Sequence, residues 1–494
     1  MSIFRVKSIE RSMEDTQEEG HKLRRSLGVF DLTIMGIAVA VGAGIFSVGA
    51  TAAANYSGPS VILSFIIAGV VCGLAMMCYA EFASTVPVAG SAYTFSYATL
   101  GEFVAWIIGW DLILELLTAS AVIAKFWGVY LGTTFDLFGL QIPVSVDLGP
   151  VTFEWPPVFI VTVFTILLVL GTKLSSRVNS VVTLIKVAIV VFIIIVGFFF
   201  VKAKNYTPFI PPAQPAEGEG DVWTQSLFSF LSGAEPTTYG VFGMLAGAAL
   251  VFFAFIGFDV VATTAEETKN PQRTLPRGIF GGLAIVTVLY VGVTLVVTGM
   301  VSYKELAAVE TPDLSTAFEI VGATWAAQII SIGSLIGLTT VLMVLLLGLS
   351  RVVFSMSRDG LLPRSLSKTS EKRGTPVRLQ IIAGVIVAGI AGFTNVEALE
   401  EMINIGTLSA FVLVSIAVPI LRKRRPDLKR GFTVPLNPFV PILSAVLCFY
   451  LMTNLSTLTW TRFAIWLAVG LIIYFSYGYR HSVARSEERA AART

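Results

Sequence analysis

The chain has 494 residues, of which 55% are hydrophobic and only 13% are charged, whereas soluble domains carry roughly 25% charged residues. This composition argues against a water-soluble fold, and the net charge of +2 is too small for a nucleic-acid-binding surface. The three cysteines and two histidines lack the close spacing of a metal site, so the cysteines are interpreted as packing thiols.

The apolar residues form long blocks of about 20, the length that a helix needs to cross ~30 Å of hydrocarbon. The polar segment before the first block lacks the apolar core of a secretory signal peptide. We therefore predict an all-α integral membrane protein with twelve transmembrane helices, at about 28–54, 60–83, 103–132, 155–171, 178–201, 241–265, 278–301, 324–350, 379–394, 402–421, 438–455 and 461–478.

The distribution of basic residues predicts the orientation of these helices. With the N-terminus in the cytoplasm, 28 of the 34 Lys and Arg residues fall in the tails and inner loops, which obeys the positive-inside rule. Both termini are then cytoplasmic, and the protein is expected in the cell membrane. The predicted divisions are a cytoplasmic tail at 1–27, five helices at 28–201, an extracellular loop at 202–240, five helices at 241–421, helices eleven and twelve with a preceding basic loop at 422–478, and a cytoplasmic tail at 479–494.

Glycines interrupt the first and sixth predicted helices at corresponding places. The run GIAVAVGAGIFSVGA contains Gly42, Ala43 and Gly44, and the run FFAFIGFDVVATTAEE contains Gly257 and Asp259. Such backbone is weakly helical, and an unwound segment frees amides that hold a carboxylate and carbonyls that hold an ammonium group. Paired interruptions therefore predict a central site for an α-amino acid, which carries both groups on one carbon. The alternative is that the glycines form a small-residue packing face between helices.

Four stretches resemble the amino acid, polyamine and organocation (APC) permeases, and within them the cationic amino acid transporter branch. These stretches are VGAGIF, YAEFASTVPVAGSAYTFSYATLGEFVAWIIGWDLILE, GFDVVATTAEETKNPQRTLPRGI and SRVVFSMSRDGLLP. The resemblance implies a LeuT-like fold of five plus five inverted helices, with two additional C-terminal helices. It also implies secondary active transport of amino acids by alternating access.

The resemblance further implies which residues bind the substrate. The carboxylate is expected on backbone amides of the first helix, and the amine on backbone carbonyls of the first and sixth helices, with the ring of Phe253 as a gate. The amides are those of Ala43 and Gly44, and the carbonyls are those of Ala40, Phe253, Ala254 and Ile256. The complete predicted substrate-binding set is Ala40, Gly42, Ala43, Gly44, Ile45, Phe253, Ala254, Phe255, Ile256, Glu115 and Met343.

Ionisable residues inside predicted spans are functional candidates, because a charge buried in the membrane is costly. Asp111 and Glu115 are i, i+4 neighbours in the third helix, and Lys186 lies about 12 Å into the fifth helix. We predict that Lys186 and Glu115 pair and couple transport to protons, since a lysine that changes its access to water can switch its protonation. Structural ion pairs are the alternative. Lys125, near the outer helix end, is expected to extend to the surface as a structural residue.

Two further residues have predicted roles. Asp259 lies just past the interruption of the sixth helix, where it caps the inner half-helix or forms a gate, and Asp111 is likewise assigned a gating or structural role. Met343, in the run GLTTVLMVLLLGLS of the eighth helix, would shorten the side-chain end of the site and favour small or medium apolar substrates. An unpaired Glu115 would instead favour cationic substrates.

The alternatives are an obligate exchanger with the same site, and a membrane receptor or enzyme. An enzyme has little support, because the sequence contains no metal-ligand cluster and no GxSxG motif. No repeated pore loop or charged ring indicates a channel. We predict no cofactor, with the proton as coupling ion. The expected partners are an amino acid and membrane lipids, and a small membrane-protein partner is left open.

Overall fold

Helices are the main secondary structure of the computed structural model. It describes residues 5, 27–42, 44–85, 91–149, 152–171, 176–215, 222–235, 237–262, 264–265, 268–309, 312–370, 375–483 and 485. The principal helices are α1 (Val29–Ala40), α2 (Val61–Thr85), α3 (Glu102–Leu137), α4 (Trp155–Val169), α5 (Ser176–Phe198), α6 (Gly240–Val251), α7 (Pro271–Met300), α8 (Thr324–Arg358), α9 (Val377–Phe393), α10 (Val396–Arg424), α11 (Phe439–Thr453) and α12 (Thr457–Ile473).

Among the described residues, seven helical segments are long and apolar enough to cross a membrane, and five further apolar helices are shorter. The seven long segments contain α2, α3, α5, α7, α8, α10 and α12. Large apolar side chains also point outward, as in Phe199, Val288 and Ile472, which are 80%, 72% and 68% exposed. An apolar exterior of this kind suits lipid and not water. The number of crossings and the inverted repeat stay predictions.

The helix α3 lies at the centre of the helix bundle. Of its most apolar stretch, 94% is buried inside the protein, whereas the corresponding value for the segment that contains α12 is 22%. It packs mainly against α8 and α10, while α7 packs against α1 and α2. The ionisable α3 residues Glu102, Asp111, Glu115 and Lys125 are each at most 2% exposed. They are therefore enclosed by protein and do not face lipid, as the cost of burying charge in hydrocarbon requires.

Several helices extend beyond the predicted apolar blocks. The helix α8 continues to Arg358, α7 begins at Pro271, and α10 begins at Val396 instead of at residue 402. The predicted bounds were too short here because polar residues continue a helix past the hydrocarbon, and an apolar-run criterion does not count them. As a consequence, Glu397 and Glu400 belong to α10.

The predicted loop at 202–240 contains short regular elements in its described part. These are a 3₁₀ turn at Ala203–Tyr206, a helix at Leu227–Ser232, and the strand Gln214–Pro215, which pairs with Thr237–Thr238. A second strand pair, Ser145–Asp147 with Thr152–Glu154, precedes α4. The rich content of Pro and Gly thus did not exclude local structure.

Candidate functional site

The helix α1 ends in the glycine-rich run of the first predicted helix. Its last residue is Ala40, Val41 has a non-helical ψ of 80°, and a π-helical segment begins at Gly44 and runs to Val48. The amides of Ile45 and Phe46 both donate to the carbonyl of Gly42, at 3.2 and 3.3 Å. Ala43 lies outside the described residues, so its role as a carboxylate ligand stays a prediction.

The sixth predicted helix also changes conformation at the expected place. The helix α6 ends at Val251, a 3₁₀ turn spans Phe252–Phe255, and Ile256 is extended with ψ 143°. Gly257 follows with φ +112°, a backbone conformation that favours glycine because it has no Cβ. A short helix then begins at Phe258.

These two segments lie in direct contact. A Cβ added to Gly44 would lie 2.2 Å from Ala254 Cα and 2.5 Å from Ala254 Cβ, and one added to Gly257 would lie 2.3 Å from Val39 Cγ1. A Cβ at these distances would force a shift, of the Ala254 backbone at Gly44 and of the Val39 side chain at Gly257, so glycine allows this close approach. The backbone of one segment therefore packs on the backbone of the other, deep in the protein.

Tyr290 of α7 joins the two segments through one hydroxyl group. Its oxygen lies 2.5 Å from the carbonyl of Ala40 and 2.8 Å from the carbonyl of Ala254, and its single hydrogen is shared between these two acceptors. The side chain is fully buried. Its ring packs against Phe255 and Phe65, with centroids 5.3 and 5.6 Å away. Sequence reasoning missed Tyr290, and its only signal was a single hydroxyl-bearing aromatic within the apolar run LAIVTVLYVGV.

The carbonyls that Tyr290 binds are two of the four predicted for the substrate amine. A carbonyl oxygen has two lone pairs, so each can accept a second hydrogen bond. The other predicted residues here, Ile45, Phe253, Phe255 and Ile256, are all at most 7% exposed. In this conformation the site is therefore enclosed. The gating role of Phe253 is untested and stays a prediction.

Lys186 contacts α1 and not Glu115. Its Nζ donates to the carbonyl of Ala38 at 2.8 Å, and the side chain is fully buried. The aliphatic part lies against Gly337 of α8, where an added Cβ would be 3.1 Å from Lys186 Cγ. No ion pair joins Lys186 to Glu115 within the described part of the chain, so the predicted pairing is not found. The last carbonyls of a helix have no partner within that helix, and Lys186 donates to one of them, the carbonyl of Ala38. Sequence spacing could not reveal this contact.

Asp111 and Glu115 of α3 lie beside α10. Asp111 Oδ2 accepts a hydrogen bond of 2.6 Å from Ser409, and Gly406 lies close to the backbone of both acids. Asp111 and Glu115 are each 1% exposed. The contact with Ser409 supports the structural interpretation of Asp111, and the role of Glu115 stays a prediction.

The prediction that Lys125 extends to the surface is wrong. Its side chain is 2% exposed, and its Nζ donates to Glu154 Oε1 at 2.6 Å. Glu154 directly precedes α4 and supplies a charge partner in place of water. The residue is therefore structural, as expected, but through an ion pair.

The remaining predicted positions are only partly described. Met343 of α8 is 5% exposed, and the nearby Val341 side chain lies 3.2 Å from a Cβ added to Gly42. The backbone of Asp259 lies in the short helix Phe258–Ala262, but its side chain is outside the described part. No group of three metal-ligating side chains was found in the described ranges.

The chain matches the family model for amino acid permeases over residues 27–476. It is 42% identical to the methylthioribose transporter of Bacillus subtilis, over 98% of this chain and 99% of that protein. It is also 42% identical to the branched-chain amino acid permease BcaP of Bacillus subtilis, over 97% and 98%. Identity to the vacuolar cationic amino acid transporter 4 of Arabidopsis thaliana is 37%, over 86% and 68%. With its apolar helices, this multi-pass membrane protein therefore belongs to the amino acid permease family.

Proposed function

We propose that the protein is a secondary active amino acid permease that binds its substrate between two helix interruptions. One lies between the end of α1 and Gly44, and the other lies between the end of α6 and Phe258. The observation that carries this proposal is the direct contact of the two segments, with Gly44 against Ala254. Backbone amides and carbonyls at interrupted helices bind the charged ends of a zwitterion without a charged side chain.

The proposed architecture has twelve membrane crossings, the first ten as an inverted repeat, with both termini in the cytoplasm. In alternating access, one half of the repeat moves against the other around a fixed site. The enclosed conformation of Phe253 and Ile256 then corresponds to a step between the two open states, and separation of Gly44 from Ala254 admits the substrate.

We propose that the proton drives this transport and that Lys186 is the coupling residue. Its ammonium binds the Ala38 carbonyl, two residues before α1 ends. Loss of the proton removes the positive charge from this contact, so protonation and the conformation of α1 are linked. Glu115, 1% exposed on the same side of α3 as Asp111, is the second coupling candidate.

Small or medium apolar amino acids are the proposed substrates. Met343 is apolar, buried and two residues from Val341, which contacts Gly42. The relatives have different named cargoes, namely branched-chain amino acids, cationic amino acids and methylthioribose. The zwitterion-binding backbone favours amino acids over the sugar derivative, and Met343 favours apolar over cationic side chains.

Uptake into proteoliposomes tests this function. Labelled amino acids of each class and labelled methylthioribose are offered with and without an inward proton gradient. We expect gradient-stimulated uptake of apolar amino acids. Uptake of methylthioribose alone would contradict the proposed substrate. Counterflow without net uptake would instead identify an obligate exchanger.

Replacing Met343 with serine should widen substrate selectivity toward arginine. The shorter side chain leaves room at the predicted side-chain end of the site, and removal of a few methylenes changes selectivity by roughly 10- to 200-fold. The measurement is the ratio of arginine to leucine uptake in proteoliposomes. Leu347→Ser, one turn further along α8, is the matched control. An unchanged ratio in Met343→Ser would contradict the placement of Met343 in the site.

Replacing Tyr290 with phenylalanine should raise the apparent KM about tenfold for every substrate alike. The change removes one hydroxyl and leaves the carbonyls of Ala40 and Ala254 without their buried donor, at a cost of about 1–3 kcal/mol. Because the lost contacts are to backbone, substrates with different side chains should be affected equally. Tyr206→Phe, which removes a hydrogen bond to Leu295 in a partly exposed region, should leave KM unchanged. A change confined to one substrate would show that Tyr290 acts on the side chain instead.

A further inference from the structure

Glu400, in the second turn of α10, is a buried carboxylate whose Oε1 has no hydrogen-bond donor among the described residues. The side chain is 1% exposed, and its Oε1 accepts no hydrogen bond from any described residue. Two other buried acids of the described residues have donors. Glu81 accepts from Arg422 Nε at 2.7 Å, and Glu102 accepts from Tyr474 at 3.0 Å. Glu400 differs from Glu81 and Glu102 in that no described donor reaches its Oε1, and a buried polar atom of this kind needs an explanation.

The charged groups that act on Glu400 among the described residues are acidic, and no basic group is among them. Glu397 and Glu401 of the same helix act on it electrostatically. On the neighbouring segment Ala53–Ser57, the titratable group that interacts electrostatically with Glu400 is the hydroxyl of Tyr56. Glu401 has its own donors, Ser456 and Thr459. An ionised, buried and unpaired carboxylate costs several kcal/mol, so the site favours a bound proton.

A second orphaned acceptor lies one turn further along the same face of α10. Asn404 is fully buried, and its Oδ1 accepts no hydrogen bond from the described residues. Its Nδ2 donates to the carbonyl of Leu250 at 3.1 Å, in the last turn of α6. This turn leads directly into the 3₁₀ segment Phe252–Phe255. The face from Glu400 to Asn404 thus reaches the interruption of the sixth helix.

We propose that Glu400 is a proton-binding site that controls opening between α10 and α6, with Asn404 as the positioning residue that links them. One proton taken from water binds the carboxylate and makes it neutral, which allows the closed, buried arrangement of α10 and α6. Loss of that proton to water creates a buried charge, and hydration of the charge separates α10 from α6. The effect on opening rests on the proposed transport function, whereas proton binding by Glu400 does not and can be measured separately.

Infrared spectroscopy across about pH 5 to 9 tests proton binding directly, because a protonated carboxyl has its own carbonyl band. We expect a titrating band in the wild type that is lost in Glu400→Gln and kept in Glu397→Gln, the exposed control on the same helix. If Glu400→Gln does not fold, as judged by gel filtration, Glu400→Asp should keep a titrating band at a shifted position. An identical band in a folded Glu400→Gln would overturn the site.

Exchange of labelled leucine at equal pH on both sides tests the control of opening, since no proton gradient then contributes. The wild-type rate should change about tenfold across the titration, whereas Glu400→Gln should show a clearly smaller change, because only the contribution proposed for Lys186 remains. Asn404→Leu should keep the infrared band but show the same reduced pH dependence of exchange. A pH dependence as large as that of the wild type in both variants would overturn the link. Absence of any wild-type exchange would contradict the proposed function. The infrared result would still show whether Glu400 binds a proton.

Discussion

Replacing Gly44 with alanine should lower amino acid uptake by roughly a hundredfold. The new Cβ would lie 2.2 Å from Ala254 Cα and 3.0 Å from Ala254 N, which are backbone atoms and cannot rotate away. Overpacking of a buried contact costs about 3 kcal/mol at the upper end of its usual range, equivalent to roughly a hundredfold change in an equilibrium. The two interrupted segments would be held apart, and the enclosed conformation would no longer form.

The measurement is initial uptake in proteoliposomes, together with thermal stability of the purified variant. Gly389→Ala is the matched control, because a Cβ at this α9 position meets nothing within 4 Å, and alanine favours a helix over glycine. Normal uptake by Gly44→Ala would show that contact with Ala254 is not part of the transport cycle. Loss of uptake with unchanged folding is the result that supports the site.

Replacing Lys186 with methionine should abolish accumulation driven by a proton gradient. With a tenfold proton gradient, a carrier that moves one proton with each substrate concentrates that substrate about tenfold, and the variant should reach a ratio of about one. Methionine fills the space beside Gly337 but removes the ammonium group that binds the Ala38 carbonyl. The steady-state ratio of inner to outer labelled leucine measures the effect.

Lys125→Met is the matched control for this experiment, because Lys125 is also buried but pairs with Glu154. It should reduce thermal stability and keep gradient-driven accumulation, since it removes the partner of Glu154, which is 33% exposed, and leaves Lys186 unchanged. Retained accumulation by Lys186→Met would support the alternative in which Lys186 is a permanently charged structural residue. Exchange that persists in Lys186→Met without accumulation would separate substrate binding from coupling.

The family and the positions of the helix interruptions were accessible from the sequence. The run from Gly257 to Ile279 and the VGAGIF motif supported the resemblance that the family match confirms. The interruptions at Gly42–Gly44 and Gly257 were predictable because glycine lowers helix stability wherever it occurs. Local backbone preference does not depend on which helix lies opposite.

Contacts between distant segments were not accessible in the same way. Tyr290 lies 250 residues from Ala40 and 36 from Ala254 along the chain, and no spacing rule joins them. An ion pair between Lys186 and Glu115 was predicted from the estimated depth of each residue alone. Depth does not fix the rotation of a helix about its axis. The ion pair of Lys125 was missed for the same reason, because Glu154 follows a turn whose course the sequence did not define.

By itself, the sequence determined that this protein is a helical membrane permease and where two of its helices are interrupted, because hydrophobic length and glycine content act locally. Only the tertiary structure decided that Gly44 packs on Ala254, that one tyrosine hydroxyl joins the two segments, and that no described residue donates to the buried Oε1 of Glu400. These features depend on helix rotation and packing, which are set by the simultaneous fit of many side chains and not by any single stretch of chain.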